Sequence, residues 1–399
     1  MRRPYHDPPD ADAVRQHPGH ATAVAPRHPV RTLQPISYDH RGHPGRVPCP
    51  PIMKSRPDYH EFLERELKLP SRPRRGAPVV YDLFAGCGGL ALGFEASGFH
   101  TVGFEMLPDA CMTYRQNLHG PCNATVLRPG SDLGAAPDVI VGGPPCQPFS
   151  VNGHQNGHAD DRDGFPAYLS AVERYRPKVA ICENVRGMLY RNRDYLAGIV
   201  RRLESFGYMV EEPRVLNAVQ YGVPQNRQRL FVVAHRGRWA WPDPVTAQPN
   251  TAGEALGSLA TRWDAGSKFL TPSMDGYVAR YERASKCVRP RDLHLGEPSR
   301  TVTCRNLCGA TGDMLRVRLP DGRRRRLTVR EGARLQSFPD WFEFCGTEDQ
   351  QFAQIGNAVP PLLARAIAGS VRTCLDGRRR NRQRITAGSA FHDVSVSLA

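Results

Sequence analysis

A strand, a glycine-rich turn, a helix and a second strand ending on a carboxylate constrain this chain more than any other stretch. Pro78-Val79-Val80-Tyr81-Asp82-Leu83-Phe84 is a short apolar run that reads as a buried strand. Ala85-Gly86-Cys87-Gly88-Gly89-Leu90-Ala91 follows as the turn, and residues 92–96 continue as a helix. Glycines at such a turn let backbone amides approach a ligand at the helix N-terminus. His100-Thr101-Val102-Gly103-Phe104 is the second strand, and Glu105 at its end is placed to accept hydrogen bonds from ribose hydroxyls. The pattern predicts an α/β fold with a doubly wound, mostly parallel sheet. Gly86-x-Gly88-x-x-Ala91 also satisfies a nicotinamide-dinucleotide fingerprint, so the turn specifies a nucleoside cofactor without saying which. Asp132, in Gly130-Ser131-Asp132-Leu133, is a further candidate contact, to an adenine amino group; a simple turn or helix cap would account for it equally well.

Residues 137–141 form another β-branched run, and Gly142-Gly143-Pro144-Pro145-Cys146-Gln147-Pro148-Phe149-Ser150 follows. Two prolines hold the backbone extended, so Cys146 is presented on a stiff loop just past a strand end. A lone loop cysteine is ordinarily only a thiol; its partners decide the matter. The polar, glycine-rich stretch after it suggests a lid over substrate. His154 and His158 are spaced i, i+4, but the glycines Gly153 and Gly157 beside them argue against a helix and hence against a metal site.

A helix over 167–175 and a strand over 178–182 lead to Glu183-Asn184-Val185. A carboxylate at the C-terminal end of a parallel strand enters the ligand crevice, at the edge that also presents Cys146. Its apolar flank should raise its pKa, suiting it to hold a proton near neutrality. The helix over 194–206 carries Leu196, Ile199, Val200, Leu203 and Phe206 as a core stripe. In Gln225-Asn226-Arg227-Gln228-Arg229 the two arginines alternate on an extended segment and project to one side, unmatched by nearby acids. That suggests phosphate or base-oxygen contacts, with surface salt bridges as the plainer account.

The charge is unevenly distributed. Basic residues outnumber acidic ones 14 to 8 in residues 1–77, 16 to 9 in 236–325 and 6 to 2 in 372–399, while the remainder is slightly acidic. The formal charge of +15 therefore lies outside the candidate catalytic core and points to a polyanionic partner. No run reaches the roughly 18 apolar residues of a membrane span. The 11 scattered cysteines are most simply reduced thiols, consistent with a cytoplasmic, nucleoid-associated protein and no membrane. Residues 1–76, rich in Pro, His and Arg, are expected to be disordered apart from a short helix over 59–67, and Met53 could serve as a second start.

These motifs, in this order, resemble the C5-cytosine DNA methyltransferases. Asp82-Leu83-Phe84-Ala85-Gly86-Cys87-Gly88-Gly89 is similar to the family's S-adenosylmethionine loop, Gly143-Pro144-Pro145-Cys146-Gln147 to its nucleophile motif, Glu183-Asn184-Val185 to its glutamate motif and Gln225-x-Arg227-x-Arg229 to its arginine motif. Residues 326–339 and Gln354-Ile355-Gly356-Asn357-Ala358-Val359-Pro360 complete the set. The resemblance implies an S-adenosylmethionine site formed by Phe84, Gly86, Cys87, Gly88, Glu105, Asp132 and Pro144 and closed by Asn357 and Val359. It implies catalysis by Cys146, Glu183, Arg227 and Arg229, with Arg229 on the cytosine carbonyl and Arg227 positioning Glu183 or a phosphate. Gln147, Ser150, Gln225, Arg300 and Thr301 would face double-stranded DNA.

Residues 77–235 and 326–375 would form the catalytic domain, 236–325 an inserted target-recognition domain, and 376–399 a basic flexible tail. The run Arg323 to Arg326 is expected on backbone phosphates. Cys304-x-x-x-Cys308 with Cys287 does not match a zinc knuckle, so no metal is expected. The implied protein is a monomeric modification methylase, whose functional counterpart would be a restriction endonuclease acting on the same site. A tRNA cytosine methyltransferase of the same fold, a non-catalytic DNA-binding regulator and a nicotinamide oxidoreductase are the alternatives. The last leaves Cys146, Glu183 and the arginines without a role.

Overall fold

The computed structural model describes residues 58–71, 75–145, 163–245, 248–287, 291–309 and 312–389, with side chains through 377. The described chain enters through α1 (Tyr59–Glu66), capped by Asp58, whose carboxylate accepts from the His60 N–H at 2.7 Å. Tyr59, Leu63 and Leu67 recur on one helical face and are buried in the main core, and Glu66 pairs with Arg365 at 2.8 Å. The expected short helix therefore forms, but it is docked on the fold, so ordered packing begins by Asp58, ahead of the expected boundary at 77.

β1 (Val79–Leu83), α2 (Gly89–Ala96), β2 (His100–Glu105), α3 (Pro108–Asn117), β3 (Cys122–Ala124), β4 (Val139–Gly142), α4 (Phe165–Tyr175) and β5 (Val179–Val185) alternate along the chain. They are followed by α5 (Met188–Arg191), α6 (Arg193–Ser205), β6 (Met209–Val210), β7 (Arg214–Asn217), β8 (Gln225–Asn226) and β9 (Gln228–His235). The main sheet has the order β3-β2-β1-β4-β5-β9-β6, with β7 also on β9; it is parallel through β5, and β9 pairs antiparallel with β5, β6 and β7. The period of two along each strand sorts side chains onto two buried faces. Val80, Val139, Val141, Ile181 and Val233 point into one core, and Tyr81, Leu83, Ile140, Ala180 and Val232 into the other. The chain winds outward from β1 to β3, then crosses back to β4 beside β1. Loops diverge at this reversal, and the C-terminal ends of β1 and β4 border a crevice.

Beyond β9 come α7 (Ala252–Leu256), α8 (Pro272–Ala284), β10 (Ser299–Arg300), α9 (Cys304–Cys308), β11 (Arg316–Arg318) and β12 (Arg324–Arg326). β10 pairs in parallel with β8, and β11 with β12 form a hairpin. Much of this region's positive charge is neutralised internally. Arg316, fully buried, bonds Asp292 at 2.5 Å and Glu282 at 2.6 Å. The 323–326 run, expected on phosphates, is largely engaged within the chain: exposed Arg323 pairs with Asp321, Arg324 with Asp275 and buried Arg325 with Glu331, while Arg326 donates to the Cys308 carbonyl at 2.7 Å. α10 (Val329–Leu335), α11 (Glu348–Asn357) and α12 (Pro361–Ser389) then return to the sheet, where α12 packs on α2. Among the described residues no helix is long and apolar enough to cross a membrane.

Candidate active site

At the end of β1 the backbone leaves the extended region. Phe84 (φ 59°), Gly86 (φ 54°) and Gly88 (φ 92°) all take left-handed values, and Phe84 does so with a side chain, a strain of about 1–2 kcal/mol. Glu105 stabilises the turn: its Oε2 accepts from the Gly86 N–H at 2.8 Å and its Oε1 from the Leu107 N–H at 2.9 Å. Each oxygen retains a second lone pair for a ribose hydroxyl. No atom lies within 4 Å of where a Cβ would stand on Gly86, whereas one on Gly89 would sit 2.4 Å from the Val359 carbonyl oxygen. The turn is thus open on the Gly86 side and closed by Val359 on the α2 side, and exposed Asn357 ends α11 two residues before Val359. This cradle fits a nucleoside cofactor.

Two expected cofactor contacts have other partners. The Cys87 side chain is buried, its thiol pushed up to about 12 by burial and its Sγ 3.7 Å from the Gln354 carbonyl oxygen, so only its backbone can face a ligand. Asp132 accepts from the Tyr175 hydroxyl at 2.9 Å and pairs with Arg174 at 3.1 Å. The Tyr175 hydrogen bond, then the Gly134 N–H and Arg174, hold its carboxyl below the usual range. Its Oδ1 also accepts from the Gly134 N–H at 3.3 Å, a turn bond of the kind its sequence allowed, and the side chain stays exposed. Met106, 60% exposed beside Glu105, presents apolar surface that could carry an aromatic base. Sequence reasoning missed it because an isolated methionine after a strand carries no pattern.

On the other side of the crevice Pro144 is buried, and its carbonyl accepts from Asn184 Nδ2 at 3.0 Å. The Pro145 carbonyl accepts from the Gly164 N–H at 3.0 Å. Cys146, Gln147, Ser150, His154 and His158 lie outside the described residues, and with them the expected lid. Glu183, 9% exposed, faces Gly143: a Cβ there would be 3.3 Å from Glu183 Oε2. Arg229 Nε lies 3.0 Å from Glu183 Oε1, and the Arg229 Nη1 donates to the Gln228 carbonyl at 2.8 Å. Burial pushes the Glu183 carboxyl up, and the guanidiniums of Arg229 and then Arg227 oppose that rise. Burial also lowers Arg229. The arginines are therefore not unmatched, since Arg229 has the very acid that the chemistry would use.

Of the two roles expected of Arg227, positioning Glu183 or meeting a phosphate, its burial closes the second. It is 1% exposed and donates to the carbonyls of Val302 at 2.6 Å, Gly356 at 2.9 Å and Ala358 at 2.8 Å, out of reach of any phosphate. Gln225 is fully buried too, donating to the Leu335 carbonyl at 2.8 Å and accepting from the Val302 N–H at 2.9 Å, so it cannot touch DNA. The sequence places both outward because an extended segment shows which side a residue takes but not what covers it. Arg300 is tied to Asp313 at 2.7 Å, which occupies the fork expected on DNA. The Thr301 hydroxyl donates to the Asn226 carbonyl at 2.6 Å, so this threonine sits where β8 and β10 meet.

The chain is similar to known proteins along most of its length. It matches the C-5 cytosine-specific DNA methylase family over residues 79–373. It is 59% identical to the type II methyltransferase M.AplI of Arthrospira platensis over 327 residues, covering 82% of this chain and 94% of that protein. It is 35% identical to the type II methyltransferase M1.HphI of Haemophilus parahaemolyticus, covering 73% and 85%. In fold it is similar to the S. pombe Dnmt2 methyltransferase, with a TM-score of 0.59 at 18% identity over 74% of this chain and 99% of that one. With the crevice, the Gly86 turn and the Glu183–Arg229 pair in place, the chain belongs to the C-5 cytosine-specific DNA methylase family.

Proposed function

We propose that this DNA cytosine-5-methyltransferase uses S-adenosylmethionine to methylate C5 of a cytosine flipped out of duplex DNA within one short sequence. We read it as the modification half of a restriction–modification system or as a solitary methylase. The observation that carries the catalytic reading is Glu183, a buried carboxyl at the crevice, held by Arg229 and facing the loop that leads to Cys146.

S-adenosylmethionine, when bound, supplies an electrophilic methyl on a sulfonium. Phe84, Gly86, Gly88, Glu105 and Val359 would hold it. Cytosine C5 is a weak nucleophile in an aromatic ring, so the Cys146 thiolate adds to C6 and leaves C5 as an enamine carbon. Glu183 gives its proton to N3 as charge develops there, and burial, by raising its pKa, favours the protonated form this requires. The second terminal nitrogen of Arg229 can donate to the base carbonyl while Nε keeps Glu183 in place. After C5 takes the methyl group, a base such as water removes the C5 proton, the Cys146 thiolate leaves C6 and N3 returns its proton to Glu183. The base must be unstacked for any of these groups to reach it.

The test is transfer of labelled methyl groups from S-adenosylmethionine to mixed-sequence duplex DNA and, in parallel, to total tRNA, with bisulfite sequencing of the DNA. 5-Methylcytosine in one short context is expected; label in tRNA alone would overturn the DNA assignment. Cys146→Ser is expected to abolish transfer while sparing cofactor binding, and substantial residual turnover would remove Cys146 from its role.

A further inference from the structure

Beyond Glu183 the chain builds a surface that none of the catalytic steps uses. β5 runs on to Val185, which lies opposite Arg229 in the sheet register and is 52% exposed. The chain then turns, with the Leu189 N–H on the Arg186 carbonyl and the Tyr190 N–H on the Gly187 carbonyl, both at 3.1 Å. The turn leaves Tyr190 69% exposed. Arg186 stands over the Tyr190 ring at 5.8 Å and donates to Gln228 Oε1 at 2.7 Å. Arg191 and Arg193 follow, both exposed, and Asp194 is the only acid between residues 184 and 203.

Exposed arginines are commonly no more than a solvated face. Here, however, two large apolar groups that would otherwise be covered are exposed beside them, at the C-terminal end of β5 where Glu183 sits. The arginines in 236–325 show the contrast, since there most guanidiniums with described partners are neutralised by acids of their own chain. The surface also continues along β9 and β8, through Gln228 and exposed Asn226, to Thr301.

We propose that this rim, made of Val185, Arg186, Tyr190, Arg191 and Arg193, grips the DNA strand that carries the target base, with the arginines on phosphates and Tyr190 packed on a sugar. The inference rests on the DNA-methylating function proposed above. A base seated at Glu183 brings its flanking phosphates to this edge, and the rim offers them positive charge that no carboxylate among the described residues occupies. Arginine suits the task because its planar fork matches phosphate oxygens.

The test is the salt dependence of duplex binding, measured by fluorescence anisotropy on the full chain with a mixed-sequence duplex. Removing one phosphate-binding arginine should make the slope of log K against log salt shallower by about 0.9. Arg191→Ala/Arg193→Ala is therefore expected to reduce the slope by about two and to weaken binding by roughly tenfold or more at physiological salt. Tyr190→Ala should weaken binding and leave the slope unchanged. Arg201→Ala, about 12 Å further along α6, should change neither. S-adenosylmethionine affinity should be unchanged in every variant, which shows that the fold is intact. Duplex binding by the wild type with an unchanged slope in the double variant would overturn the rim alone. Absence of duplex binding in the wild type would overturn the DNA reading and the rim with it.

Discussion

Glu183 and Arg229 show how one pair can hold opposing tendencies. Burial favours the neutral carboxylic acid, while a guanidinium at 3.0 Å favours the carboxylate. The raised carboxyl keeps its proton at a pH where the unfolded chain has already released it. Any stability it contributes is therefore present at low pH and is lost as pH rises through the folded value. The same titration governs proton donation to N3, so kcat/KM should fall on the alkaline side as Glu183 ionises. Arg229→Gln removes the cation that opposes burial. The alkaline limb is then expected to move to higher pH while kcat falls by about a hundredfold. A pH–rate profile of the two enzymes checks this, and a limb that stays in place would mean that Arg229 does not set the protonation of Glu183.

At the scale of elements, the loop that leaves β4 and the start of α4 are joined at their roots. Gly164 donates to Pro145, and Asp163 Oδ1 accepts from the Phe165 N–H at 3.0 Å while Oδ2 accepts from the Tyr195 hydroxyl of α6. A Cβ on Gly164 would stand 2.5 Å from Pro145 Cδ and 3.0 Å from Phe84 Cζ, so glycine is required there for close approach. Phe84 is the strained residue of the cofactor turn, and Pro145 immediately precedes Cys146. Gly164→Ala is thus expected to disturb both sides of the crevice, costing about 1–3 kcal/mol of overpacking, raising KM for S-adenosylmethionine and lowering kcat together. Steady-state kinetics with a cofactor titration reads both, and an unchanged cofactor affinity would show that Phe84 does not move. The sequence revealed the strands, the glycine turn and the Pro-Pro loop, because β-branched runs, glycine and proline act locally. It did not reveal Gly164 as a contact, since the residues it touches lie about 20 and 80 positions away.

For the whole molecule, Arg227 and Gln225 join segments remote in sequence. Arg227 gathers carbonyls from Val302, Gly356 and Ala358, and Gln225 links Val302 to Leu335. The chain after β10, the end of α11 and the turn before β9 are thereby held as one unit beside the active site. Arg227→Ala would leave three carbonyls without their charged donor. It is expected to destabilise the fold by about 3 kcal/mol or more, with loss of activity following the loss of folded protein. Urea denaturation of the variant tests this, and an unchanged midpoint with lost activity would return Arg227 to a direct catalytic role.

The sequence by itself determined the doubly wound sheet, the Gly86 turn with Glu105 beside it, and the position of Glu183 at a strand end. These follow from hydrophobic period, turn chemistry and strand direction, all of which act within a few tens of residues. Only the tertiary structure decided which charged groups face outward. Arg227, Gln225 and the arginines 324–326 look available in sequence, yet they are held by partners from other segments, and only Arg323 of that run stays exposed, paired with Asp321 beside it. Arg186, Arg191 and Arg193 attract no notice in sequence, yet they are exposed at the rim beside Glu183. Whether a charge meets its own chain or a ligand depends on what folds over it, and burial is set by packing across the whole chain rather than by local pattern.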